Sequence, residues 1–127
     1  GDTNEKEVFR KAARWVDYTG RITNEADGFA GIALMNHPAN PHHPTPFHVR
    51  DDGWMGAALI PDVLENPVKG QPPLAPAAAA IEVSSEKPLR VRYALWVHDG
   101  IASKSEIDEQ YEVFSKLPLA DLHPPKK

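Results

Sequence analysis

LRVRYALWVHDG, residues 89–100, is the stretch that decides the fold class. Leu89, Val91, Tyr93, Leu95 and Val97 alternate strictly with Arg90, Arg92, Ala94, Trp96 and His98. A period of two puts the two sets on opposite faces of a strand. The first set is wholly apolar and is predicted to be the core face. The second is amphipathic and is expected to border a cleft or a partner. Asp99-Gly100 ends the strand as a turn.

Working outward, a helix is predicted over 104–117. Ser103 supplies the N-cap and Glu106, three residues on, completes a capping box. Ile107, Tyr111 and Phe114 form one apolar stripe, predicted to pack on the Leu89-to-Val97 face. Glu106, Asp108 and Glu109 near the start and Lys116 near the end suit the helix dipole, and Pro118 stops the helix. Upstream, Phe29 to Asn36 is a continuous apolar run that suits a buried strand. Val8 to Tyr18 has a spacing a helix could also use, but its aromatic, β-branched end favours a first strand, followed by a turn over Arg21 to Gly28. Trp54 to Ile60 reads as a further strand ended by Pro61. Pro61 to Pro76 is an irregular connection, after which order resumes over Ala77 to Val83. These elements make a mainly β protein, an antiparallel β-sandwich with one C-terminal α-helix.

A chain of 127 residues is long enough for one domain with a real core. Its 14 basic and 18 acidic residues leave a net charge of −4, which speaks against a nucleic-acid partner, because phosphate-tracking surfaces need clustered Lys and Arg. No apolar run reaches the roughly 18 to 20 residues that cross a bilayer, so no membrane association is expected. Cysteine is absent, which removes disulfides and thiolate metal ligands. The 13 prolines fall mainly in Pro38 to Pro46, Pro61 to Pro76 and Pro118 to Pro125, stretches expected to be loops, edges or a tail.

NHPANPHHPTPFHVR, residues 36–50, holds four of the six histidines. Imidazole serves both as metal ligand and as acid–base group, so His37, His43 and His48 are the candidate catalytic residues. Prolines between them prevent a helix, and no dense ligand spacing is present, so no metal site is assigned. The alternative is a stiff surface loop with solvated histidines. Arg50, Trp54, Trp96 and His98 are candidate ligand-binding residues. Trp15, Trp54 and Trp96 suit either sugar stacking or a core. His98 beside Asp99 suggests an acid–base pair, but neighbours on a strand point to opposite faces. Asp51-Asp52-Gly53 lacks the alternating oxygens of a calcium loop and reads as a turn.

Three motifs, RWVDYTG (14–20), GIALMNHPANPHHPTPFHVR (31–50) and LRVRYALWVHDG (89–100), resemble a bacterial family of unknown function labelled "methane oxygenase PmoA". That family's middle motif typically reads DHPSNPRHPTPWHVR; Asn36, Ala39, His42 and Phe47 depart from it. The resemblance implies a soluble, galactose-mutarotase-like supersandwich that accompanies carbohydrate-degrading systems. It covers the C-terminal part of longer proteins whose N-terminal part carries a further His motif. The expectations are therefore a single domain over 1–127, the C-terminal portion of a larger sandwich, with 118–127 a Pro-rich tail. A carbohydrate ligand bound or processed by the His/Pro-rich loop is the first functional reading. A metal-dependent hydrolase or oxygenase is the second, and a non-enzymatic assembly domain the third. Half a sandwich leaves sheet faces and edges uncovered, so a homo-oligomer or a missing N-terminal half is also expected.

Overall fold

The computed structural model describes residues 3–58 and 80–117. A helical turn, α1 (Glu5–Val8), leads into β1 (Ala12–Ala13), β2 (Trp15–Arg21), β3 (Phe29–Asn36), β4 (Thr45–Val49), β5 (Met55–Ala57), β6 (Tyr93–Asp99) and α2 (Lys104–Lys116). Two antiparallel three-stranded sheets result, β1-β4-β5 and β2-β3-β6. The protein is mainly β with one C-terminal helix.

The apolar run 29–36 is the central strand β3. The expected strand over 8–18 divides instead. Asn4 caps α1 by accepting from the Lys6 amide, and the chain crosses from the first sheet to the second at Arg14. The 36–50 loop contains a strand that proline composition hides. Thr45–Val49 is the central strand of its sheet even though it holds Pro46. Proline fits there because the Pro46 carbonyl still accepts from the Ala58 amide at 3.0 Å, beyond the end of β5, where one lost donor costs little. The strand expected over 54–60 is described only as Met55–Ala57. Of the order expected over 77–83, the described residues 80–83 form no regular element. The 61–76 connection and the 118–127 tail lie outside the described residues.

The main correction concerns the faces of β6. Leu89, Val91, Tyr93, Leu95 and Val97 are exposed, Leu95 by 68% and Val97 by 70%. The face of Ala94, Trp96 and His98 turns inward. The core consists of Ala33, Met35, Ile107 and Tyr111, with Trp15, Ala94, Trp96, Ala102 and Phe114 packed around it. The helix stripe is therefore the predicted one, but it covers the opposite face of the sheet. Small residues at Ala33 and Ala94 leave a hollow that Ile107 and Tyr111 fill, and the two indoles close its sides. Ser103 and Glu106 form the predicted capping box, each side chain bonding the other's backbone N–H.

Candidate functional site

The histidines fall into three separate settings. His37 and His43 lie beneath α2 in a buried polar network. The Asn36 amide group donates to Thr45 Oγ1 at 2.8 Å, and the Asn40 amide group donates to Asn36 Oδ1 at 2.7 Å. Asn40 also clamps the Arg92 backbone, donating to its carbonyl at 2.6 Å and accepting from its N–H at 2.7 Å. Tyr111 donates its hydroxyl hydrogen to the Asn36 carbonyl at 3.1 Å and lies 3.4 Å from His43 Nε2. His37 accepts the Ala39 amide on Nδ1 at 3.0 Å, so a neutral ring carries its proton on Nε2. That ring meets Phe114 edge-on, and its buried Nε2 has no hydrogen-bond partner among the described residues. Arg92 reaches the Leu117 carbonyl at 3.3 Å. Unpaired carbonyls at a helix C-terminus attract such donors. Burial, then the Arg92 charge, holds His37 below its ordinary value of 6.5. Burial, then the charges of His37 and Arg14, does the same to His43.

His48 is elsewhere, on the β4–β5 hairpin. Its ring lies edge-on between Phe9 at 4.6 Å and Trp54 at 4.7 Å. Trp54 is 53% exposed. Its indole lies over Gly56, where a Cβ would come within 2.8 Å of the ring, so glycine makes room for that pose. Arg50 pairs with Asp52 at 2.9 Å across the hairpin turn. Asp51-Asp52-Gly53 is that turn, with Gly53 at φ +94°. Thus His48, Arg50 and Trp54 come together, apart from His37 and His43.

His98 and Trp96 form the third setting, on the inner face of the β6 sheet. His98 pairs with Asp17, not with the Asp99 side chain. Its Nε2 is 2.8 Å from Asp17 Oδ1, while Thr19 donates its hydroxyl hydrogen to Asp17 Oδ2 at 2.6 Å. The two residues sit on strands that flank β3, and the ring crosses over Gly31. A Cβ on Gly31 would lie 2.5 Å from His98 Nε2 and 2.6 Å from Thr19 Oγ1. The His98 side chain is only 4% exposed. Burial alone would lower its pKa. The Asp17 hydrogen bond and charge, with the Asp99 and Gly100 carbonyls, outweigh burial and hold it above 6.5. Sequence reasoning missed Asp17; the available signal was a charged residue inside the apolar stretch WVDYTG. Trp96 stacks beside His98 at 4.9 Å and packs into the core.

A cleft of about 910 Å³ opens between the two sheets. Its walls include Arg14, Asp17 and Thr19 on one side, Val49, Arg50 and Met55 on the other, and Lys104 and Asp108 from α2. Asp108 accepts from the Trp15 indole at 2.8 Å and pairs with Arg14 and Lys104. Among the described residues, no three His, Asp or Glu side chains converge to hold a metal ion, and no helix is long and apolar enough to cross a membrane. No curated protein and no solved structure matches the chain. The model of one family does match, over residues 1–112. That span holds both sheets and most of α2, and by it the chain belongs to the family of unknown function DUF6807.

Proposed function

We propose that the domain binds a hydroxyl-rich, carbohydrate-type ligand on the surface formed by Trp54, His48 and Arg50. The observation that carries this reading is an exposed indole held in place before any ligand arrives. His48 braces its edge, Phe9 braces His48, and Gly56 lies beneath it. A sugar's C–H face stacks on such a ring, and the nearby Arg50–Asp52 pair supplies donors and acceptors for hydroxyls. Pre-ordering reduces the entropy lost on binding. The resemblance to the family labelled "methane oxygenase PmoA", with its carbohydrate-degrading context and supersandwich fold, points the same way. In this reading His48 contacts ligand, while His37 and His43 hold α2 on the loop and are not catalytic. The metal-dependent alternative would require three ligands to converge, and His48 and His98 are set apart from His37 and His43.

The test is a fluorescence and NMR titration with a panel of mono- and oligosaccharides. Binding should perturb the Trp54 indole, and Trp54→Ala should abolish it. A panel with no response, or a response that survives in Trp54→Ala, rejects the reading. A non-enzymatic assembly role is the second reading, favoured by the apolar side chains exposed on the outer sheet face.

A further inference from the structure

The bonding phase of β2 shows which of its backbone groups are unused. The Asn36 amide donates to the Arg14 carbonyl at 2.9 Å and the Ile22 amide to the Gly28 carbonyl at 2.7 Å. The register between these two points pairs Val16 with Leu34 and Tyr18 with Ile32. Hydrogen-bonded and non-bonded pairs alternate in an antiparallel ladder. The even-numbered residues of β2 therefore bond β3, and the amides and carbonyls of Trp15, Asp17 and Thr19 point the other way. β2 is the end strand of its sheet. Among the described residues nothing pairs with those groups.

The unpaired edge is not on open surface. Trp15, Asp17 and Thr19 line the 910 Å³ cleft, faced by Val49 and Met55 of the hairpin. Repeating donors and acceptors at about 6.8 Å, two residues of extended chain, are complementary to another strand. A glycan offers no such repeat. Charge does not oppose this, because the charged lining is balanced, Glu5, Asp17, Asp51 and Asp108 against Lys11, Arg14, Arg50 and Lys104. Arg14 and Lys104 pair with Asp108, and His98 pairs with Asp17. An edge strand is often guarded by an inward charge; here the Asp17 carboxylate turns to the inner face, held by His98 Nε2 and the Thr19 hydroxyl.

We propose that this cleft is a β-augmentation site. It takes an extended segment of a partner protein, which pairs with the edge from Trp15 to Thr19 and rests alternate apolar side chains against Val16, Val49 and Met55. Affinity comes from backbone hydrogen bonds and specificity from the apolar contacts. The site adjoins the Trp54 surface at Arg50, which lines both, but the edge it uses, Trp15 to Thr19, is no part of that surface.

Seven-residue peptides, the length of β2, are selected from a random phage-displayed library on the immobilised domain, and one is synthesised. Amide exchange by NMR and the Kd are then measured. The Asp17 and Thr19 amides should exchange freely in the unliganded domain and become protected when peptide is added. N-methylation of one alternate set of peptide amides should weaken binding about tenfold or more, and methylation of the other set should not. Thr19→Pro removes an edge donor but leaves the β3 ladder intact, and should lose binding; Thr19→Val, which keeps the N–H, should retain it. Three results would overturn the proposal. They are protection of those amides in the free domain (an edge filled by its own chain or a second copy), a selection that yields no binding peptide, and a Kd indifferent to N-methylation.

Discussion

The two faces of the β2-β3-β6 sheet are furnished in opposite senses. Beneath α2 lie Gly31, Ala33, Ala94, the hydrogen-bonded His98 and Asp17, and two indoles; on the other face Tyr18, Ile32, Leu95 and Val97 stand exposed. The more uniformly apolar face is the one α2 leaves uncovered, although Val16 on it is buried and Tyr18 reaches the Asp51 carbonyl. Alternation identifies a strand because it follows from the pleat, but it does not say which face is buried. That depends on what packs there. α2 takes the face whose small residues leave a hollow and whose polar groups, His98 and Asp17, satisfy each other.

The contrast is sharpest in paired substitutions. Trp96→Ala should cost about 3 kcal/mol, the lower end for a large aromatic since the indole is partly exposed. Leu95→Ala, one residue away on the other face, should cost less than about 0.5 kcal/mol. Equal denaturation midpoints for the two variants would break the assignment of faces. Gly31→Ala should cost about 2 kcal/mol by overpacking the inner face. It should also bring the His98 titration, read by NMR, back towards 6.5; loss of stability without that shift would mean that His98 and Asp17 are not tied across β3. Ser103→Ala should cost about 1 kcal/mol by removing the cap that positions α2 over the inner face, and an unchanged midpoint would reject it.

The smallest expected effect depends on pH and separates the two buried histidine settings. His37 and His43 lie below 6.5 in the folded protein, so on acidification the unfolded chain takes up protons first. Stability should fall as pH drops below 6.5 towards their folded values. His98 lies above 6.5, so its contribution is complete below 6.5 and disappears as pH rises through the folded value. Denaturation midpoints should therefore peak near 6.5. His43→Gln should flatten the acid limb and His98→Gln the alkaline limb. A curve that both variants leave unchanged would refute this division.

Legibility in the sequence followed range. The capping box of Ser103 and Glu106 spans three residues and is read directly. β3 is apolar on both faces and keeps the predicted ends. β4 is hidden because Pro46 suppresses the strand signal, and its tolerance depends on where β5 ends. The pairing of Asp17 with His98 spans 81 residues, and no local pattern encodes it. The loop 36–50 drew attention for its histidines, yet its asparagines do much of the structural bonding: Asn36 and Asn40 tie the loop to Thr45 and Arg92. Composition marked the segment without distinguishing a site from a support.

Gly31 has a consequence for the history of the family. A side chain there, the His98 ring and the Thr19 hydroxyl compete for one small volume. These positions, far apart in the chain, cannot vary independently. A relative that gained a side chain at the position of Gly31 would have had to surrender or re-aim the equivalents of His98 and Thr19, leaving a buried acid at the position of Asp17 in need of another partner. Glycine, threonine, aspartate and histidine should therefore be inherited or lost together, as one character written across three strands.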